Sequence, residues 1–276
     1  MNAIEVKNLS KNYKEFKLDN ISFVLPKGCI LGLIGENGAG KSTVISSLLD
    51  TIRHEGEVKL LGEKISADLK NRIGVVFDEV GFNGNFNIKD INKIMKHAFK
   101  EWNEETFFGY IKKFSLSEKK KFSEYSKGMK MKLGIAVALS HNAELLILDE
   151  PTSGLDPLVR DEIVDILNDF TRDENHSILI SSHIVSDLEK LCDYIVFLHK
   201  GRLMLYEEKD KLLEQYAFIN TTEEFLSELE PDAVKGKKTT HWGTEAIVDT
   251  NLIPSGFETK PITIEELFIF MAKEDN

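Results

Sequence analysis

Apolar and polar positions alternate at two different periods along this chain, and the change of period divides it. Residues 2–6 and 20–25 alternate with period two, and Pro26-Lys27-Gly28 marks a turn between strands. Cys29-Ile30-Leu31-Gly32-Leu33-Ile34 is a nearly continuous apolar run, which suits a strand buried on both faces of a parallel sheet. It leads into a Gly-rich segment over 35–40 and a helical stretch over 41–49. Another strand is predicted over 56–61, with a turn at Gly62. From about 86 to 139 helical spacing takes over, with Ile88, Ile91, Ile94 and Met95 predicted on one face. Residues 82–140 therefore read as a helical insertion.

Strand–helix alternation then returns. Leu145-Leu146-Ile147-Leu148 predicts a buried strand. Asp156-Pro157 predicts a helix start, with Asp at the N-cap and Pro at the first helical position. Ile163, Ile166, Leu167 and Phe170 form its apolar stripe. A strand follows over 177–181, and 194–198 with 202–206 predict a hairpin closed at Lys200-Gly201. Beyond it, Thr221-x-x-Glu224 and Thr263-x-x-Glu266 are capping-box patterns, with a strand predicted over 245–249 between them.

Composition narrows the class. The chain has 276 residues with 42% hydrophobic and 29% charged side chains, enough to bury a large core without staples. The formal net charge of −11 argues against nucleic acid as a partner, because phosphate neutralisation needs a dense positive surface. No stretch approaches 18 consecutive apolar residues, so no bilayer span is predicted. Charges within the first seven residues do not fit a secretory signal. Two cysteines, Cys29 and Cys192, suggest a reducing compartment and no disulfide framework. A cytoplasmic protein is expected.

Two segments carry chemistry. Gly35-Glu36-Asn37-Gly38-Ala39-Gly40-Lys41-Ser42 fits G-x-x-x-x-G-K-[ST] between a predicted strand and a predicted helix. Glycines let backbone N–H groups turn inward around a phosphate, and the following helix adds the positive end of its dipole. Lys41 is expected to reach the β- and γ-phosphates, and the Ser42 hydroxyl to ligate Mg²⁺. The second segment is the apolar strand that ends in Asp149-Glu150. Asp149 is expected next to the cation, and Glu150 as the base that activates the attacking water. Tyr125-Ser126-Lys127-Gly128-Met129, Ser153-Gly154-Leu155-Asp156 and Ser181-Ser182-His183 are weak alone and gain weight from their order.

In that order the motifs resemble those of the nucleotide-binding subunits of ABC transporters, over residues 1–206. The resemblance implies an α/β fold. Its parts are a P-loop NTPase core with an N-terminal antiparallel β-subdomain and a helical subdomain over about 82–140; the capping-box and strand patterns beyond it predict a small C-terminal α+β appendage over 207–276. It implies ATP and Mg²⁺, with nucleotide held by Gly35, Asn37, Gly38, Ala39, Gly40, Lys41, Ser42 and Thr43. Tyr13 falls where the family places an aromatic that stacks on adenine, with Phe16 close enough to compete. Glu150, His183 and Lys41 take catalytic roles, His183 as the switch histidine at the γ-phosphate. Ser126 and Gly128 belong to the signature motif, and Asp156 to the D-loop. Ser42, Asp149 and Asp78 take the metal.

The resemblance also implies a second ATPase subunit. In the family, the signature motif of one subunit covers ATP held by the P-loop of the other, so a homodimer or a heterodimer is expected. This chain departs from the usual family pattern at Lys127 and Met129, which replace a Gly and a Gln, and at Asp78, which replaces a Gln. The style of its signature is similar to single-domain ATPases of ABC-2-type exporters in Gram-positive bacteria. An integral-membrane permease is then the expected partner, with the chain peripheral on the inner face of the cell membrane. The expected cargo is antimicrobial or amphipathic peptide or drug. A soluble ATPase of iron–sulfur cluster assembly has the same motifs and remains the alternative.

Overall fold

In the computed structural model, which describes residues 1–240, 243–254 and 258–274, the chain begins with β1 (Asn2–Asn12), β2 (Lys17–Pro26) and β3 (Ile30–Ile34). There follow α1 (Lys41–Leu48), β4 (Glu55–Leu60), α2 (Ala67–Lys70) and β5 (Ile73–Val76). Three helices come next: α3 (Ile88–Ala98), α4 (Glu104–Lys113) and α5 (Lys127–Ala138). The alternating part resumes with β6 (Leu145–Asp149), α6 (Pro157–Phe170), β7 (Ser177–Ser182), α7 (Val185–Leu191), β8 (Tyr194–His199) and β9 (Arg202–Glu208). The last part comprises α8 (Lys209–Gln215), β10 (Tyr216–Thr221), α9 (Glu223–Glu228), β11 (Val234–Thr240), β12 (Gly243–Asp249), β13 (Lys260–Pro261) and α10 (Ile264–Glu274).

A six-stranded sheet in the order β5-β6-β7-β3-β8-β9 positions the chemistry. Its strands are parallel up to β8, and β9 closes it as the antiparallel arm of a hairpin. Every residue of β3, β6 and β7 is buried, as both-face coverage requires. Alternate residues of one strand therefore enter different cores. Leu145 and Ile147 face a core shared with α1 and the antiparallel sheet β2-β1-β4. Leu146 and Leu148 face a larger core that includes Met131 and Leu133 of α5 and Ile163 and Leu167 of α6. Removing one such fully buried Leu side chain to Ala typically costs about 2–5 kcal/mol.

The helical stretch is anchored more sparsely. Asn87 caps α3 with a capping box to Asp90, and Ile88 and Ile91 are buried. Ile94, predicted on the same face, is exposed. Asn92 is buried in its place, because its amide donates to Glu104 Oε1 at 2.7 Å and its carbonyl accepts from Trp102 Nε1 at 2.8 Å. At the C-terminal end, a four-stranded sheet in the order β11-β12-β10-β13 covers Ile219, Ala246 and Val248 on one face. Ile247, Ile262, Ile264 and Leu267 join the larger core. The predicted Thr263–Glu266 capping box is present. The other pattern starts one residue later than predicted: Thr222, not Thr221, caps α9 by accepting from Phe225 N–H.

Candidate nucleotide site

Parallel strands deliver their C-terminal ends to one rim of the sheet, and the loops that follow β3, β6 and β7 meet there. The loop after β3 turns through Gly38 at φ 85° and Gly40 at φ 112°, both in the left-handed region. Gly40 occupies the N-cap of α1 and offers no side chain to its first N–H groups. Those donors are left to an external acceptor, and the helix dipole favours an anion.

A cleft of about 450 Å³ opens above this loop. Its walls include Asn37, Gly38, Gly40, Lys41, Ser42 and Thr43 from the loop and helix, Asp78 from the segment after β5, and Asp149 and Glu150. Lys41 is buried and donates to the Gly35 carbonyl at 2.7 Å. Its Nζ lies 3.2 Å from Glu150 Oε1. Ser42 Oγ donates to Asp149 Oδ2 at 3.0 Å, and Ser181 Oγ donates to Asp149 Oδ1 at 2.5 Å. Glu150 Oε2 lies 2.7 Å from His183 Nδ1. One carboxylate thus bridges the phosphate-loop lysine and the histidine after β7.

Glu150 sits at φ 52°, a conformation that a non-glycine residue adopts at a cost of about 1–2 kcal/mol. Its N–H is tied to Ser181, 3.1 Å from the carbonyl oxygen and 3.1 Å from the hydroxyl. Ser181 therefore fixes both acids at once. The sequence marks it as part of Ser181-Ser182-His183, but only the histidine is legible there as chemistry.

The other expected site residues lie partly on this cleft and partly away from it. Gly35 and Ala39 belong to the loop but do not line the cleft: Ala39 is buried, and a side chain on Gly35 would strike the Leu198 carbonyl. Tyr13, assigned to adenine, does not line the cleft, and Phe16 does. The turn that joins Tyr13 N–H to the Phe16 carbonyl at 2.8 Å leaves Tyr13 47% exposed and turns Phe16 toward Gly40. Asp78 is on the cleft wall, with Lys127 Nζ 2.8 Å from its Oδ1. Ser126, Gly128 and Asp156 are not part of this cleft. Ser126 caps α5 by accepting from Met129 N–H, and Asp156 caps α6 by accepting from Val159 N–H. Tyr125 anchors the segment from below, its hydroxyl donating to the Ser117 carbonyl at 2.7 Å, and burial pushes its phenol pKa up.

A family model described as ABC transporter matches residues 18–153. The lantibiotic transport ATP-binding protein SrtF of Streptococcus pyogenes is 36% identical over 211 residues, covering 75% of this chain and 91% of that protein. The chain belongs to the ABC transporter family. The bacitracin transport ATP-binding protein BcrA of Enterococcus faecalis is 37% identical, over 73% of this chain and 68% of that protein. A solved ATP-binding subunit of an ABC transporter superposes with a TM-score of 0.70 at 27% identity, covering 77% of this chain and 92% of that one. Within the ABC transporter family this chain is an ATPase subunit. No helix among the described residues is long and apolar enough to cross a membrane.

Proposed function

We propose that this chain hydrolyses ATP to power export of antimicrobial or amphipathic peptides through a separate integral-membrane permease, against whose cytoplasmic side it docks. The observation that carries the site is the bridge Lys41–Glu150–His183, whose Lys41 and Glu150 line one cleft with the Ser42–Asp149 pair. The relatives SrtF and BcrA are named for lantibiotic and bacitracin transport, which favours export over iron–sulfur cluster assembly.

The residues divide the work. The first N–H groups of α1 and Lys41 bind and orient the triphosphate. Phe16 offers its ring to the adenine at the open end of the cleft. Ser42 and Asp149 present hydroxyl and carboxylate oxygens, hard donors of the kind Mg²⁺ accepts beside phosphate oxygens and water. Mg²⁺ bound there would neutralise charge on the β- and γ-phosphates. Glu150, fixed through its backbone by Ser181, accepts the proton of the attacking water at a carboxylate oxygen. His183 holds that carboxylate in place, and its side chain stays 42% exposed. Ser126, exposed at the start of α5, faces outward from its own subunit. Its donors serve a nucleotide held by a second ATPase subunit, identical or related, and ATP then closes the pair.

Glu150→Gln tests this reading. The amide keeps the shape and the contact to water but takes no proton, so phosphate release should fall about 10²–10⁴-fold while Mg-ATP still binds. Trapped ATP should then hold two subunits together in size-exclusion chromatography. Phosphate release at the wild-type rate would remove Glu150 from the base role.

A further inference from the structure

Four carboxylates line the phosphate cleft, Glu36, Asp78, Asp149 and Glu150, against a single lysine, Lys41. A polyanionic substrate entering such a cleft meets repulsion unless the acids are engaged. Asp149 is held by the Ser42 and Ser181 hydroxyls, and Glu150 by Lys41 and His183. Asp78 takes its counter-charge from another element altogether. Lys127 Nζ, from the first residue of α5, reaches it across 49 positions of sequence.

Lys127 is also placed at a junction. It directly follows the exposed Ser126 that caps α5. Its ammonium lies 3.6 Å from where a side chain on Gly154 would begin. Gly154 turns there at φ 67° and leaves that space open. The same lysine therefore touches the cleft wall through Asp78, starts the helix that Ser126 caps and fits against the loop between Glu150 and α6.

We propose that Lys127 is a positioning residue for the nucleotide site: it neutralises Asp78 on the cleft wall and thereby ties the Ser126 segment to the charge state of the cleft. The inference rests on the reading of the cleft as an ATP site. The pair is about half exposed on both sides, so it contributes little to folding, and its breakage leaves the fold in place. Its effect is on the ligand. An unpaired Asp78 repels the triphosphate, and a field change at Asp78 is felt at Lys127 by linkage, in both directions. The two side chains then act as a unit, and a substitution at one should change what the other contributes.

A double-mutant cycle read by equilibrium titration of the full chain with a fluorescent ATP analogue and Mg²⁺ tests this. Lys127→Met should weaken binding about fivefold at low salt, the size that one exposed charge pair supports. In the Asp78→Asn background the same substitution should cost clearly less, because Lys127 is then no longer held at the cleft wall, and Lys127→Arg should bind as wild type. The fivefold loss should shrink at high salt. Equal losses in both backgrounds, or none in either, would overturn the proposal. Asp78→Asn alone guards against a folding defect in the lysine variant: titrated with the analogue in EDTA, where a metal role of Asp78 does not enter, it should bind at least as tightly as wild type, and weaker binding there would sink the charge argument. Wild-type chain that binds no nucleotide would overturn the ATP site as well, so the two failures are distinguishable.

Discussion

Around Lys41 the side chains of several elements close on one another, whereas the segment from Tyr125 to Met129 is held mostly by its own neighbours. In the cleft, Ser42 of α1, Asp149 of β6 and Ser181 of β7 are joined by hydroxyl–carboxylate bonds, and Glu150 is bridged to Lys41 and His183. In the other segment, Ser126 serves the N–H three residues on, and Tyr125 bonds eight residues back. Ser126 and Lys127 are exposed, and Lys127–Asp78 is a surface contact between this segment and the cleft. The difference separates two kinds of chemistry. A phosphate site needs groups fixed before the substrate arrives, and one chain supplies them. A segment offered to another subunit's nucleotide, as proposed for this one, would need outward donors and freedom to move as a body with its helices.

Ser126→Ala puts the largest strain on this contrast. If the segment completes a partner's site, loss of its hydroxyl should cost about 2.7–4 kcal/mol in the barrier to hydrolysis, as for removal of one preorganised donor at a charged transition state. Mg-ATP affinity of the isolated subunit should hold, since Ser126 lies outside its own cleft. The lost cap of α5 should lower stability by only about 1 kcal/mol, read as a small shift in a thermal melt. Steady-state phosphate release at the wild-type rate would return Ser126 to a purely capping role.

The attachment of the helical stretch to the sheet offers a test through pH. His141 follows α5, is buried, stacks on Phe99 with ring centroids 3.9 Å apart, and has Nδ1 3.2 Å from the Asn71 carbonyl. Burial pulls its pKa from 6.5 down to about 4. The folded chain therefore keeps the ring neutral while the unfolded chain protonates it below about pH 6.5. This contribution is fully present above that pH, declines as pH falls through the window from 6.5 to 4, and changes no further below it. The loss amounts to about 3 kcal/mol across the window. Urea unfolding of wild type and His141→Gln over this range should show that the variant lacks this part of the slope. Parallel curves would remove His141 as the pH-sensitive tie.

What could be read from the sequence follows the same division. The buried strands and the cleft acids are contiguous runs, so residues 30–34 and 145–150 reveal them without knowledge of what lies opposite. The same holds for Gly35 to Ser42, where spacing alone carries the chemistry. The rest depends on distant partners. Asn92 is buried in place of Ile94 because Trp102 and Glu104 reach it from the next turn and helix. Ser181 matters because β7 lies beside β6 in register, with Asp149 opposite Ser181. The pairing of Asp78 with Lys127 joins two departures from the family pattern that look unrelated along the chain.

The smallest expected effect belongs to the open end of the cleft, where the choice between two rings sharpens how far the preformed site extends. Phe16 lines the cleft and Tyr13 stands beside it, with ring centroids 6.3 Å apart. Phe16→Ala should weaken ATP binding by about 1–2 kcal/mol, in line with the loss of one aromatic platform under a base. Tyr13→Ala should change it by less than about 0.5 kcal/mol, as for a surface substitution. A second route to the same loss must be separated, because the Phe16 ring packs against Gly40 and its removal could loosen the loop. Inorganic tripolyphosphate distinguishes the two. It engages the loop and carries no base, so a stacking ring leaves its affinity unchanged while a loosened loop weakens it as much as ATP. Equal losses for both ligands in Phe16→Ala, or a larger loss for ATP in Tyr13→Ala, would move the base away from Phe16 and end the preformed site at the phosphates.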